Sequence, residues 1–140
     1  MDIRTSLLIK QVFLLHQQRL NKIFCEFDLT ATQTFTLIYL FQSREAGSYV
    51  KQKDIERKMD ISNPTVTGIL NRLENKGLIQ RVADEKDARA KHIVVTEKAL
   101  ELDRLLRQKF NEADKEMVAS LSEEEEKQLQ DMLIRMLHSS

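Results

Sequence analysis

Apolar side chains recur with helical spacing along most of the chain. From about Ile3 to Phe27, one row repeats every three or four residues and so lies on one helical face: Ile9, Phe13, His16, Leu20, Ile23 and Phe27. Leu8, Val12 and Leu15 form a second row beside it. An apolar stripe this wide is typical of a helix that contacts more than one partner element.

A second helix is predicted over Ala31–Phe41. Thr30 and Gln33 have the spacing of a capping box, in which each side chain satisfies a backbone N–H group of the first turn. The segment is apolar on most sides, which indicates a central position. We expect residues 43–48 to end this helix and Tyr49-Val50 to form a very short strand.

The middle of the chain predicts two short helices joined by a tight turn. The first covers Lys51–Met59, and Asp60-Ile61-Ser62 forms the turn. Ser62 is expected to cap the second helix, Asn63–Lys76, which has Pro64 in its first turn and Gly77 just after its end. Its inward residues are Val66, Ile69, Leu70 and Leu73.

Two strands and a final pair of helices follow. Residues 78–83 and 91–95 alternate as strands around the charged loop 84–90, so they predict a hairpin. The next helix carries the row Ala99, Leu102, Leu106, Phe110, Ala113 and Met117. Ser122 and Glu125 form a second capping box before a last helix with the row Leu129, Met132, Leu133, Met136 and Leu137.

Composition narrows the class of protein. The 140 residues suggest one domain, and 3 Gly and 1 Pro are too few for a β-sandwich or barrel with many turns. The formal net charge is zero, but residues 44–96 carry +3 and residues 97–140 carry −4. No apolar run approaches the roughly 18–20 residues of a membrane span, and no signal peptide is evident, so we expect a cytoplasmic protein without membrane contact.

Residues 51–95 have the order of a helix-turn-helix motif followed by a hairpin. The side chains on the outer face of the second helix are small or hydrogen-bonding, as contacts to base edges and phosphates require: Asn63, Thr65, Thr67, Gly68, Asn71 and Arg72. Glycine inside a helix costs roughly 1 kcal/mol relative to alanine, so Gly68 suggests close approach of DNA or of a packed neighbour. The alternative is a surface helix with an incidental glycine.

The stretch from Ile61 to Arg81 closely resembles the MarR family of bacterial transcription regulators. The wing signature of that family is an Asp, any residue, an Arg, and a hydrophobic-Thr pair six residues later. Asp87, Arg89 and the pair Val95-Thr96 fill those positions, and Leu29-Thr30-x-x-Gln33 also resembles the family. The resemblance covers essentially the whole chain.

The resemblance implies a mainly α fold with a small β-hairpin wing, assembled as a homodimer. Residues 1–28 and 97–140 would be dimerisation helices, and 29–96 the winged helix-turn-helix region. The wide apolar stripes at both chain ends favour the same conclusion, because two intertwined chains would bury them, whereas the alternative is an intrachain bundle. A two-fold dimer would bind a pseudo-palindromic operator in double-stranded DNA, as a ligand-responsive repressor.

The resemblance also assigns roles in DNA binding. Arg89 would enter the minor groove, with Asp87 orienting it through a charge-assisted hydrogen bond. The remaining predicted contacts are Ser62 and Pro64 beside the outer face of the second helix, and the lysines and arginine Lys53, Arg57, Lys86 and Lys91. Lys51 stands where the family often has Ser or Thr, which leaves the start of the preceding helix open.

Other functions are less well supported by the residues. Many relatives release DNA when a small anionic or phenolic effector binds, and His16, Arg19 and Tyr39 are candidate contacts, although an interface role explains His16 more simply. Cys25 lies near the end of the first helix, unlike the cysteine of redox-sensing relatives, and we expect a buried small hydrophobe there. We predict no enzyme activity, cofactor or metal site, because no catalytic motif is present. The remaining alternatives are a helical protein-interaction module and a regulator that senses oxidants through Cys25.

Overall fold

Helices occupy most of the chain in the computed structural model, which describes residues 2–87 and 89–139. The helices are α1 (Thr5–Glu26), α2 (Ala31–Glu45), α3 (Gln52–Met59), α4 (Asn63–Asn75), α5 (Glu97–Met117) and α6 (Glu123–His138). The strands are β1 (Val50–Lys51), β2 (Ile79–Ala83) and β3 (Lys91–Val95). These elements confirm the predicted mainly α fold with a β-hairpin.

The start of α2 is confirmed, but its predicted end is wrong. Thr30 Oγ1 accepts a hydrogen bond from the Gln33 N–H group at 3.1 Å, and Gln33 Oε1 accepts one from the Thr30 N–H group at 3.2 Å. The helix then continues to Glu45, beyond the predicted Phe41. The chain turns away from the helix at Gly47 (φ +74°). Glycine adopts this left-handed conformation readily, whereas it would be costly for the residues that precede Gly47.

The three strands form one antiparallel sheet in the order β1-β3-β2. Val50 pairs with Ile93, and Ile79 pairs with Val95. Val50, Ile79 and Ile93 are buried, so the sheet turns an apolar face toward the helices. The short first strand therefore exists, one residue later than predicted.

Residues 21–108 form one compact unit with a continuous core. Leu37 of α2, Ile55 of α3 and Leu70 of α4 are completely buried. The other large buried side chains of this unit are Ile23, Phe24, Leu29, Leu40, Phe41, Val66, Ile69, Leu73, Leu78 and Leu106, with Val50, Ile79 and Ile93 of the sheet. Phe35 is an exception to the predicted central position of α2, because its ring is 47% exposed.

Residues up to 20 and from 109 onward form a second compact unit. Its apolar stripes are not buried: Phe13 of α1 is 59% exposed, Leu137 of α6 is 73% exposed, and α6 has no buried residue. The other large exposed apolar side chains of these helices are Leu7, Leu8, Ile9, Val12, Leu14, Leu15, Met132, Leu133, Ile134 and Met136. The intrachain bundle is therefore wrong, because these faces remain open in the single chain.

None of the helices within residues 2–87 and 89–139 combines the length and apolar character needed to cross a membrane.

Candidate nucleic-acid interface

A tight turn joins α3 to α4. Asp60 ends α3 in the left-handed conformation (φ +53°), and the N–H groups of Asp60 and Ile61 both donate to the carbonyl oxygen of Glu56. The predicted inward residues of α4 are all buried, which fixes the rotation of the helix about its axis. Its opposite face consequently points away from the core.

The α3–α4 angle is held by polar side chains as well as by apolar packing. Gln52 Nε2 donates to Thr67 Oγ1 at 2.8 Å and to the Asn63 carbonyl oxygen at 3.4 Å. Asn63 Nδ2 in turn donates to Glu56 Oε2 at 3.1 Å. Sequence reasoning missed Gln52 and Glu56, because these contacts depend on how two helices cross and leave no mark on the spacing within either one.

In the structure α3 begins directly after Lys51. Lys51 is the residue before the helix, and its N–H group donates to Asp54 Oδ2 at 2.9 Å. The acidic residue in the first turn therefore supplies one half of a capping box, in which the third residue of the helix accepts from the N–H group of the N-cap residue.

Ser62 lies at the predicted N-cap position of α4, but its side chain does not cap the helix. Its Oγ lies 2.9 Å from Thr65 Oγ1 and makes no hydrogen bond to a backbone N–H group of the first turn. Pro64 lies in that first turn, where it removes one N–H group that has no partner in the helix. Ser62, Asn63, Pro64 and Thr65 are all exposed, so the start of α4 is accessible.

Gly68 lies on the half-exposed side of α4. A Cβ atom added there would come 3.5 Å from the end of the flexible Arg72 side chain, which is an ordinary van der Waals distance. Among the described residues, no packed neighbour therefore requires glycine at this position. The prediction of close approach by DNA remains.

Asn71 and Arg72 are exposed residues in the second half of α4. Asn71 Oδ1 accepts a hydrogen bond from Arg81 Nη2 of β2 at 2.9 Å. Arg81 Nη1 lies 3.6 Å from Glu74 Oε1. Arg81 was not among the predicted site residues, although its place two positions after Ile79 put it on the same side of β2 as that buried residue.

The wing corrects the role predicted for Asp87. Its Oδ1 accepts a hydrogen bond from the Arg89 backbone N–H group at 3.0 Å, and its carbonyl oxygen accepts from the Ala90 N–H group. Asp84 acts in the same way on the Lys86 N–H group. The short acidic side chains thus shape the turn, as Asp does in loops, and among the described residues the Arg89 guanidinium makes no hydrogen bond.

Thr96 joins the wing to the end of α4. Its Oγ1 donates to the Gly77 carbonyl oxygen at 2.6 Å and accepts from the Ala99 N–H group at 3.2 Å. One hydroxyl therefore fixes the residue that ends α4 and caps the first turn of α5. In this chain the Thr of the motif therefore has a structural role.

Around α3, α4 and the wing, several acidic side chains have partners within the chain, whereas the basic side chains predicted to bind DNA have no ion-pair partner among the described residues. Within residues 2–87 and 89–139, the predicted basic contacts are exposed and form no ion pair: Lys53, Arg57, Arg72, Lys86, Arg89 and Lys91. Four of the nearby acidic groups are occupied by donors of the chain, since Asp54, Asp84 and Asp87 bind backbone N–H groups and Glu56 binds Asn63. In α5, by contrast, Arg104 pairs with Glu101 at 2.7 Å. The local result is a surface with available positive charge.

The candidate effector contacts fall in different surroundings. His16 Nε2 lies 3.7 Å from Asp114 Oδ1, and Arg19 Nε lies 3.0 Å from Glu116 Oε2. His16 Nδ1 is buried without a hydrogen-bond partner among the described residues. Tyr39 belongs to the unit of residues 21–108, where Lys58 Nζ lies 6.0 Å from the centre of its ring.

Cys25 is exposed, so the expectation of a buried small hydrophobe there is wrong. Its neighbours Ile23 and Phe24 occupy the core side of α1, which turns position 25 outward. Its place near the end of α1 is unchanged and still differs from that of the cysteine in redox-sensing relatives.

The combination of α3, the turn, α4 and the β2–β3 hairpin defines a winged helix-turn-helix protein. The sequence model of the MarR family matches residues 29–91. MepR, described as a transcription regulator of the Staphylococcus aureus multidrug efflux pump MepA, is 31% identical over 98% of both chains, with a TM-score of 0.87. A MepR–DNA complex matches at 33% identity and a TM-score of 0.77, covering 96% of this chain and 98% of that one.

A curated relative agrees with the structural matches. The HTH-type transcriptional regulator PecS of Dickeya dadantii (strain 3937) is 28% identical over 138 residues, covering 96% of this chain and 82% of the relative. The chain belongs to the MarR family of transcription regulators.

Proposed function

We propose that this chain binds a pseudo-palindromic site in double-stranded DNA as a homodimer and thereby represses transcription. The outer face of α4 would lie in the major groove, with the tip of the wing, Arg89, in the adjacent minor groove. The first turn of α4 would contact a phosphate, since exposed N–H groups at a helix N-terminus attract anions. The existence of a MepR–DNA complex supports the DNA ligand.

The observation that carries this proposal is the set of unpaired basic side chains on α3, α4 and the wing, defined above. An exposed cation without an ion-pair partner gains more free energy from binding a phosphate than a cation that must first be separated from a carboxylate. Lys53 and Arg57 on α3 would contact the backbone beside the groove, and Arg72 would do so from α4. Lys86 and Lys91 would add phosphate contacts at the wing. These contacts position the protein, while Asn63, Thr65, Thr67 and Asn71 face the bases.

The exposed stripes of α1 and α6 support the homodimer. Monomeric proteins rarely expose contiguous apolar patches larger than a few hundred Å². A second copy presents the same two stripes, so a two-fold interface would cover both at once. Two copies of α4 would then face half-sites about one helical turn apart.

The remaining parts of the proposal follow from this role. Because a DNA-bound regulator acts where the chromosome lies, we expect a cytoplasmic chain without catalytic activity. A small anionic or phenolic effector stays a prediction. In the structure His16 and Arg19 face Asp114 and Glu116, so an anion at this position would have to compete with two carboxylates.

Selection from sheared bacterial genomic DNA at about 150 mM salt tests the proposal. We expect the wild-type protein to enrich fragments that share a pseudo-palindromic motif. Arg89→Ala should recover far fewer of them, because it removes the unpaired guanidinium at the tip of the wing. Arg104→Ala is the matched control, since Arg104 is an exposed arginine of α5 that is already paired with Glu101.

The two arginine variants separate the possible outcomes. Loss of enrichment with Arg89→Ala and retention with Arg104→Ala would support binding through the wing. Equal enrichment by all three proteins would contradict the role of the wing. Failure of the wild-type protein to enrich any motif, after a search for a co-purified small molecule proves negative, would favour the protein-interaction alternative.

A further inference from the structure

The side-chain amide of Asn71 is fixed in one orientation by Arg81. Arg81 Nη2 lies 2.9 Å from Asn71 Oδ1, and Arg81 Nη1 lies 3.6 Å from Glu74 Oε1. A guanidinium group carries five N–H donors and no acceptor. It can therefore face only the oxygen of the amide, which removes the usual ambiguity about which amide atom is nitrogen.

Asn63 at the other end of α4 shows the opposite arrangement. Its Nδ2 donates to Glu56 Oε2 at 3.1 Å, and an ionised carboxylate can only accept. Asn63 and Asn71 are thus held with opposite polarity by a charged neighbour from an adjacent element. Asn71 is left with its Nδ2 hydrogens available, whereas Asn63 is left with its Oδ1 available.

The fixed orientation of the Asn71 amide limits which base it can recognise. Asparagine recognises adenine by accepting from N6 through Oδ1 and donating to N7 through Nδ2 at the same time. In this chain one of the two lone pairs of Oδ1 already accepts from the Arg81 guanidinium, which holds that oxygen toward β2 and so weakens its contact to adenine N6. Guanine offers two acceptors in the major groove and thymine offers O4, and both suit a group that donates.

We propose that Arg81 is a specificity-determining positioning residue, which holds Asn71 as a hydrogen-bond donor toward guanine or thymine and against adenine. This inference rests on the proposed function, because it requires α4 to face the major groove. Arg81 itself lies on β2 and acts through Asn71. Its side chain is only 24% exposed, which keeps the guanidinium in place while Asn71 is exposed.

Selection from randomised duplex oligonucleotides tests the inference. Wild-type protein and the variants Asn71→Ala, Asn71→Asp, Arg81→Gln, Arg81→Lys and Glu74→Gln are each taken through the same selection. Asn71→Ala identifies the base pair that Asn71 faces, because preference at that position should disappear. We expect the wild-type preference there to be guanine or thymine.

The Arg81 variants then report on its role. Glutamine can donate or accept, so Arg81→Gln frees the Asn71 amide to rotate, and we expect adenine at that position to gain about tenfold over the wild-type preference. Arg81→Lys retains a positive donor and should restore the wild-type preference. Glu74→Gln removes the ion pair but not the Arg81–Asn71 hydrogen bond, so its motif should be unchanged. Thermal denaturation of each variant separates altered preference from altered folding.

Asn71→Asp tests the inference without changing Arg81. The carboxylate keeps the partner of Arg81 but has no hydrogen to donate, so guanine and thymine should lose their advantage to the bases that offer an amino donor, cytosine and adenine. This variant decides the question if Arg81→Gln does not fold.

Three results would overturn the inference. These are an unchanged motif with Asn71→Ala, a wild-type preference for adenine at the Asn71 position, and an unchanged preference with folded Arg81→Gln. Each of them leaves DNA binding itself intact. If the wild-type protein selects no motif at all, the proposed function fails and this inference fails with it.

Discussion

Gly68 offers a substitution whose effects on stability and on DNA affinity should have opposite signs. The residue lies in the interior of α4, six positions after the N-cap Ser62. A Cβ atom there meets only the end of Arg72 at 3.5 Å, so Gly68→Ala introduces no clash within the described part of the chain. The substitution therefore isolates the backbone effect of glycine from any effect of packing.

The expected gain in stability follows from helix propensity. Alanine in a helix interior is favoured over glycine by about 0.5–1 kcal/mol, because glycine loses more backbone freedom on folding. With a urea dependence of about 1–3 kcal/mol per molar, the unfolding midpoint should rise by a few tenths of a molar. Protein concentration must be held constant, because the stability of a dimer depends on it.

The expected change in DNA affinity is a loss. If the DNA backbone approaches Gly68 closely, an added methyl group on that side of α4 separates the two surfaces. We expect an affinity loss of about tenfold or more for a selected operator duplex, which corresponds to about 1.4 kcal/mol. Fluorescence anisotropy of a labelled duplex at about 150 mM salt measures it.

Gly47→Ala is the matched control. In the part of the chain that the structure describes, nothing lies within 4 Å of a Cβ atom added to Gly47, but its φ of +74° is unfavourable for alanine. We expect a destabilisation of about 1 kcal/mol with unchanged DNA affinity. Destabilisation by Gly68→Ala would show that a packed neighbour requires glycine there, and higher stability with unchanged DNA affinity would refute close approach of DNA.

Three further predictions concern the link between α3 and α4, the wing and the dimer. Gln52→Ala should lower the free energy of unfolding by about 1 kcal/mol in urea titration, because the hydrogen bonds to Thr67 and Asn63 are lost. The control is Gln80→Ala, at an exposed position of β2, and equal effects of the two substitutions would refute a special role for Gln52. Lys86→Ala should weaken binding to all DNA sequences and reduce the salt slope of log affinity by about 1, whereas an unchanged slope would mean that Lys86 contacts no phosphate. Met136→Lys should lower the sedimentation coefficient from that of a dimer to that of a monomer, because an unpaired ammonium group would be placed in an apolar interface. An unchanged dimer would exclude this face of α6 from the interface.

The helix-turn-helix region could be predicted in detail because each boundary has a local cause. The buried row of α4, the proline in its first turn and Gly77 after its end are all properties of neighbouring residues. The end of α2 was missed because residues 42–45 are polar but compatible with a helix, so only the left-handed Gly47 stops it. Polarity alone therefore predicted the break too early.

Contacts between elements were the part that the sequence could not supply. The Arg81–Asn71 hydrogen bond depends on how β2 crosses α4, and the Gln52–Thr67 bond depends on the α3–α4 angle. The exposure of Cys25 depends on which neighbours of α1 face the core. Asp87 was predicted to bind the Arg89 side chain but binds its backbone N–H group, since a short side chain reaches its own turn first.

The most direct test of the account compares affinity for a selected operator duplex with affinity for a scrambled duplex of the same composition, at about 150 mM salt. Sequence-specific binding through α4 and the wing predicts at least about 10³-fold tighter binding to the operator, as is typical of specific DNA-binding proteins. Equal affinity for the two duplexes would contradict it, because the unpaired cations alone would then account for all of the binding.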